Sequence, residues 1–492
     1  MVKFNITEVY IMIEKFNCNV EPKKVFEFFS LISAIPRGSG HMEKISEFCC
    51  EFACERGLDY FSDDTLNVII YKKGSQGREN EKPVILQGHL DMVWEKKSDC
   101  AIDFENEGIT LLSDGEYVFA DGTTLGGDDG IAVAYCLAVL DSDDISHPPL
   151  EVVFTVDEET GMDGAQAIDA SRISGKRMIN IDSEDEGTLW IGCAGGARFD
   201  TGIDFNPVSS GPTCCEIVVS GLHGGHSGTE IHKGYANANV VMGRVLKEIS
   251  GSVDFCLVSI NGGTMDNAIT RECRSKIAIS SESEALFKVI NRLNSSLRKE
   301  FSETDPDFSL RVVSCKNEKN CLSKKDTERV IGMLCSLPNG VVSMSKSVEG
   351  LVQTSLNLGS LKTVDNKISF VYLVRSCDNS EKAALIERLE TIALGYDARY
   401  RVHSDYPAWE IREESELQRI FADTYEKMFG KKMTVTAIHA GLECGLFCGK
   451  IDGLDCVSFG PDIFDIHTPD EKLSIGSCAR MWEYLLAVLK NL

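Results

Sequence analysis

Residues 150–165, LEVVFTVDEETGMDGA, drive an apolar run straight into Asp157, Glu158 and Glu159. A short run of this kind, rich in valine and phenylalanine, reads as a strand buried on both faces. Carboxylates crowded at its end repel one another unless something positive sits among them. The stretch therefore asks for two things at once: a layered fold that covers the strand, and a cation at the strand's carboxyl end.

The same pattern recurs along the chain. The strand KPVILQGH ends in His89, with Asp91 two residues on; RMINI is followed by Asp182; DCVSFGP leads through a short loop to His467. Between these strands, EPKKVFEFFSLISAI and HMEKISEFCCEFACERG have helical spacing, and NVIIYKK reads as a further strand. GIAVAYCLAVLDS is apolar nearly all round, which predicts a buried helix. Strand and helix alternation predicts an α/β layer fold with a mostly parallel sheet flanked by helices. In a parallel sheet the carboxyl ends of the strands share one edge, where ligands bind. Histidine, aspartate and glutamate from separate segments thus converge, and neutral imidazole and carboxylate are the donors that zinc and similar divalent ions take.

No single residue carries this reading. A lone histidine is more often a hydrogen-bonded structural residue than a ligand, and a lone aspartate at a strand end is usually a cap. Histidine is scarce, however: the chain has nine, and five of them (His89, His223, His226, His439 and His467) fall in glycine-bearing turns. Glu184, Asp185 and Glu186 read as solvated surface.

DGTTLGGDDGIAVA places Asp128 and Asp129 after two glycines and just before the buried helix. A calcium loop of the EF-hand type fails, because Thr123 and Leu125 stand where it needs Asp or Asn oxygens. A Walker phosphate loop fails for want of its Gly-Lys-Ser/Thr ending. A plain helix N-terminus also favours aspartate. Taken with the strand ends, a metal-bridging carboxylate is the stronger reading.

The chain of 492 residues is too long for one ordinary core. From about residue 190 the rhythm changes. TCCEIVVSG, YANANVVMGRVLKEIS, DFCLVSING, RECRSKIAIS, EALFKVINRLNSSLRKEF and FSLRVVSC run β-α-β-β-α-β, the ferredoxin-like order. A second set follows, with TERVIGMLCSL and EKAALIERLETIALGY helical and LVQTSLNLGSL and KISFVYLVRS as strands. The expected organisation is a catalytic domain over 1–188 and 403–492, interrupted over 189–402 by a duplicated ferredoxin-like (α+β) domain. The net charge of −26 disfavours a nucleic acid partner. No apolar stretch is long enough to span a membrane. The first residues, MVKFNITEVYIMIEKFNCNVEPKK, lack the basic head and apolar run of a signal peptide. Nineteen scattered cysteines, an odd number with no C-x-x-C pair, read as reduced thiols in the cytoplasm.

GHLDMV, DGTTLGGDDGIAVA, DEETGMDGA, NIDSEDEG, HAGLECGLF and HTPDE together resemble the di-zinc exopeptidases that include aminoacylase, carboxypeptidase G and carnosinase. Within them the likeness is to the aminoacyl-histidine dipeptidase branch, and the ordered motifs cover nearly the whole chain. The resemblance implies two divalent metal ions, zinc first, with manganese or cobalt as alternatives. It implies His89 and Asp182 on one metal, Glu159 and His467 on the other, and Asp128 bridging them. It makes Asp91 the partner of the other His89 ring nitrogen and Glu158 the general base; Asp129 departs from the family, which often has Asn there, and is expected to support the site rather than to be a ligand. GLHGGHSG, in what would be the family's lid, points to His226 rather than His223 as the contact to the scissile carbonyl. MDNAITRE points to Asn267 as a substrate-binding residue. VYLVRSCDN points to Arg375 as a clamp on the substrate carboxylate. Glu443, with His439 beside it, falls in a motif near the site and is placed among the substrate-binding residues.

The implied activity is hydrolysis of unblocked dipeptides, Xaa-His types included, in a chain that can form a homodimer. An N-acyl-amino-acid amidohydrolase or a tripeptide aminopeptidase would use the same metal chemistry. A catalytically inactive binding protein is the rival of another class.

Overall fold

In the computed structural model, residues 20–210, 213–279 and 284–492 are described. The N-terminal segment on which the signal-peptide reading rests falls largely outside them, as does Ser280 at the end of RECRSKIAIS. The chain divides into two compact units. One comprises residues up to Gly192 together with Ile411–Ala437 and Leu442–Leu492; the other comprises Cys193–Glu410 and Ile438–Gly441. Residues 403–410 and the tetrapeptide carrying His439 thus group with the second unit, where the sequence suggested the first.

In chain order, the first unit opens with β1 (Asp59–Ser62), β2 (Val68–Lys72), β3 (Val84–His89), β4 (Leu150–Thr155), β5 (Arg177–Asn180) and β6 (Thr188–Cys193). The second unit holds β7 (Gly195–Asp204), β8 (Thr213–Ser220), β9 (Phe255–Gly262), β10 (Cys273–Ile279), β11 (Ser309–Ser314), β12 (Gly340–Met344), β13 (Val352–Val364), β14 (Lys367–Ser376) and β15 (Arg399–Tyr406). The tail adds β16 (Thr434–Ile438) and β17 (Asp455–Ser458).

The sheet of the first unit has the order β1-β2-β4-β3-β5-β17-β6-β16. Its centre, β4-β3-β5-β17, is parallel. The pairs β1-β2, β2-β4 and β17-β6 are antiparallel, so the sheet as a whole is mixed. Every residue of β3 and β4 is buried, as parallel strands require when helices cover both faces. The helix Gly127–Asp141 is buried from Gly127 to Leu140 and packs on β3. The helix Lys23–Ser33 turns Val25, Phe26, Phe28, Phe29 and Ile32 inward against it. Each such side chain contributes roughly 1.5–3 kcal/mol by leaving water. A glycine sits at position 88 of β3 because the helix comes so close: a Cβ there would stand 2.6 Å from Asp129 Oδ2 and 2.8 Å from Ala132 Cβ.

The second unit has its own core, built from residues between Phe199 and Ala398. Its nine-stranded sheet runs β11-β8-β10-β9-β13-β14-β7-β15, with β12 on β13. The quartet β11-β8-β10-β9 is the ferredoxin-like 4-1-3-2 arrangement of the first predicted set. The quartet β15-β7-β14-β13 repeats it, with Lys324–Ser336 and Asn379–Gly395 as its helices. The two sets are nested rather than tandem: β7, the first strand of the second set, precedes the whole first set in sequence. They join into one sheet through the single pair Gly262 and Leu361.

Candidate metal centre

Because β3, β4, β5 and β17 are parallel, their carboxyl ends deliver His89, the Asp157–Glu159 turn, Asp182 and the loop to His467 to one edge. There the side chains form two donor groups that share Asp128. His89, Asp128 and Asp182 make one, and Asp128, Glu159 and His467 the other, with the donor atoms of each within 4.8 Å of one another. Asp128 Oδ1 lies 3.1 Å from His89 Nε2, and Oδ2 lies 3.2 Å from His467 Nε2. Glu159 Oε1 is 2.9 Å from the same His467 nitrogen, and Asp182 Oδ1 is 3.8 Å from His89 Nε2.

Asp128 and Asp129 open the buried helix with non-helical backbone angles, so their side chains part. Asp128 faces the donors. Asp129 turns under β3 and accepts the His89 backbone N–H at 3.1 Å, a supporting contact and not a ligand position. Asp91 is the hub on the other side. Its carboxylate lies 3.3 Å from His89 Nδ1 and accepts the backbone N–H groups of Glu158 (3.0 Å) and Glu159 (3.2 Å) and the Ser39 hydroxyl (2.8 Å). His89 Nδ1 also meets the Asp91 carbonyl oxygen at 3.1 Å, so this one residue orients the imidazole and the acidic turn together. Asp157 points away from the donors and accepts the Gly40 N–H at 2.6 Å.

The electrostatics call for a cation. Burial, followed by repulsion from neighbouring acids, pushes Asp182, Glu158 and Asp129 well above the usual carboxylate range. Hydrogen bonds to Asp128 and Glu159 push His467 up to about 11. At Asp182 and His467 protons are thus drawn onto groups whose ionised carboxylate or neutral imidazole forms are metal donors, and divalent ions displace such protons on binding. The donor set fits zinc, manganese or cobalt and contains no thiolate.

Glu184 and Glu186 are not the solvated surface expected of them. Burial lifts Glu184 to about 8, and Glu186 is half-buried in an ion pair with Arg480. Glu443 is a wholly buried carboxyl rather than an open substrate contact. Its Oε2 accepts from Gln87 (2.6 Å) and Thr155 (2.6 Å), its Oε1 has no partner among the described residues, and burial raises it to about 7.

The second unit carries a polar cluster of its own. Arg375, on β14, is only 7% exposed. Its Nε has no hydrogen-bond partner among the described residues, and its Nη1 reaches the Tyr406 hydroxyl at 3.4 Å. Burial and the Arg375 charge lower His226 and hold His439 down at about 3, so Arg375 stands among neutral imidazoles. His439 is tied at Nε2 to Ser355 Oγ (2.7 Å) and at Nδ1 to Cys377 Sγ (3.8 Å). Asn267 is exposed one residue before Ala268, which bridges to His226. His223 instead stacks on Tyr235 at 4.1 Å. A buried guanidinium with no ion pair among the described residues is a ready partner for a carboxylate.

Two residues near the metal donors were not foreseen. Arg37 and Glu471 are both buried and both grip the loop that presents Asp128. Their only sequence signal is an arginine in PRGSG and the last letter of HTPDE, single polar residues in turns.

A sheet edge with an aspartate shared between two histidine-carboxylate groups is an arrangement that could hold two metal ions. Residues 85–491 match peptidase family M20/M25/M40, and the chain belongs to that family. It is 37% identical over 476 residues to the cytosol non-specific dipeptidase of Escherichia coli K12, a match covering 96% of this chain and 98% of that protein. Among solved structures it superposes on the aminoacylhistidine dipeptidase of Vibrio alginolyticus with a TM-score of 0.89 and 38% identity, covering 97% of this chain and 99% of that one. The aminopeptidase PepT of Bacillus cereus shares the fold at a TM-score of 0.55 and 16% identity, covering 96% of this chain and 98% of that one.

Proposed function

We propose that the chain is a metal-dependent dipeptidase that hydrolyses unblocked dipeptides, Xaa-His types included. The observation that carries this reading is Asp128, whose two oxygens face His89 and His467 in two separate donor groups. His89 and Asp182 would hold one ion, Glu159 and His467 the other, with Asp128 between them and zinc as the first choice of metal. Two divalent ions held there would acidify a water molecule and offset charge building on the scissile carbonyl oxygen.

The rest falls to the chain's own side chains. Glu158 takes the proton of the attacking water at its carboxylate and passes it to the leaving amine. Burial, together with repulsion from Asp182, Glu443 and Glu159, raises its affinity for a proton, which suits a group that must accept one. Asp91 fixes the His89 tautomer by accepting at Nδ1–H, as partners of metal-bound imidazoles do. Arg375 takes the substrate's terminal carboxylate, while Asn267 and neutral His226 offer hydrogen-bond donors to the peptide carbonyl. The free thiols of all described cysteines suit a cytoplasmic protein, and among the described residues no helix is long and apolar enough to cross a membrane.

A substrate panel separates this reading from its nearest rivals. Ala-His and Gly-Gly are expected to be cleaved, and acetyl-amino acids and tripeptides to be poor substrates. Preference for acetyl-amino acids would instead make the protein an amidohydrolase.

A further inference from the structure

The loop Leu125–Asp128 is held from both sides by buried charged groups. Glu471 Oε2 accepts the backbone N–H groups of Leu125 (2.8 Å) and Gly126 (3.0 Å), and Oε1 accepts those of Gly127 (2.8 Å) and Asp128 (3.4 Å). On the carbonyl side, Arg37 Nη2 donates to Gly126 O. Its Nη1 donates to Leu90 O (2.9 Å) and Asp91 O (3.0 Å), in the loop that follows His89. The glycines of LGGDDG are what this grip requires. Gly126 has φ +68° and a Cβ there would stand 2.5 Å from Arg37 Nη2, as would one at Gly130.

Glu471 is also four residues beyond His467, and its own N–H donates to Thr468 O at 3.1 Å. It therefore ties the loop of one metal donor to the loop of the bridging donor. We propose that Glu471, backed by Arg37, is a positioning residue that sets Asp128 in register with His467 and so governs uptake of the second metal ion. This rests on the dinuclear reading of the site. The physical reason is preorganisation. Four aligned N–H groups saturate one carboxylate, and a loop so fixed need not be ordered when the ion arrives. A glutamine can accept at only one of its two positions, leaving two of the four N–H groups facing an NH₂ group.

The test is a cobalt(II) titration of the metal-free full chain, followed by d–d absorption and by bound cobalt per chain. The wild type is expected to bind two ions. Glu471→Gln is expected to keep the first and to bind the second about 10–100-fold more weakly, the usual cost of losing a partner behind a ligand. Its turnover should recover at high metal concentration. Leu485→Ala, in the core of the last helix, should lose thermal stability yet keep both ions, which separates positioning from general loosening. Should Glu471→Gln fail to fold, hydrogen exchange of the metal-free wild type still decides. The 125–128 amides should be as protected as the helix that follows, and rapid exchange there overturns the proposal. A variant that binds both ions like the wild type overturns it alone. A wild type that binds no cobalt overturns the metal reading and the proposal with it.

Discussion

Nδ1 of His89 lies 3.3 Å from the carboxylate of Asp91, on the far side of the ring from Asp128. That carboxylate also receives the N–H groups that open the acidic turn, so a change at Asp91 should disturb a metal ligand and the general base together. Asp91→Asn is expected to weaken metal binding about 10–100-fold. Competition against a chelator measures this, and an unchanged affinity would remove Asp91 from the account.

Glu158→Gln keeps the size of the side chain and removes its basicity. The variant is expected to hold its full complement of metal while kcat falls about 10²–10⁴-fold. Metal analysis and initial rates on one preparation settle the point. Retained turnover would give the proton transfer to another group.

These assignments show where sequence is informative. His89, Asp182 and the Asp157–Glu159 turn could be placed because strand polarity fixes which end of each strand meets the shared edge. The buried helix was legible because GIAVAYCLAVL leaves no polar face. Arg37 and Glu471 were not, since their role depends on backbone amides and carbonyls that only the folded loops bring together. Nesting in the second unit was hidden for a related reason. β7 pairs with β14 and β15, and those partners lie beyond the whole first set. Periodicity reports a strand but not a partner so far along the chain. Glu184 misled because acids in a run read as surface, whereas Asp182 carries its neighbours toward the site.

Arg375→Met should show whether the buried guanidinium takes the substrate's terminal carboxylate. A hydrogen bond to a charged group is worth about 1.5–3 kcal/mol. The kcat/KM for an unblocked dipeptide is therefore expected to fall about 10–100-fold. The preference for a free carboxylate over the C-terminal amide should disappear with it. A variant that keeps this preference places the carboxylate elsewhere.

His439 gives a pH signature. Its pKa falls from the ordinary 6.5 to about 3 in the folded protein, through burial and then the Arg375 charge. Between those values the unfolded chain binds a proton that the folded chain does not, so stability rises with pH across the window. The contribution is complete above the unfolded value and is lost as pH falls toward the folded one. Denaturation midpoints of wild type and His439→Asn, compared at about pH 7.5 and about pH 4.5, should show the steeper acid loss in the wild type. Equal losses would mean that His439 is not a buried neutral imidazole.

The central claim is that one aspartate joins two metal sites in an active dipeptidase. It is tested most directly by counting metal in the same sample whose Ala-His turnover is measured. Two divalent ions per chain in the active wild type, with both uptake and turnover collapsing in Asp128→Ala, is the result this account requires. Full turnover with no more than one ion per chain, or two ions retained without Asp128, would contradict it.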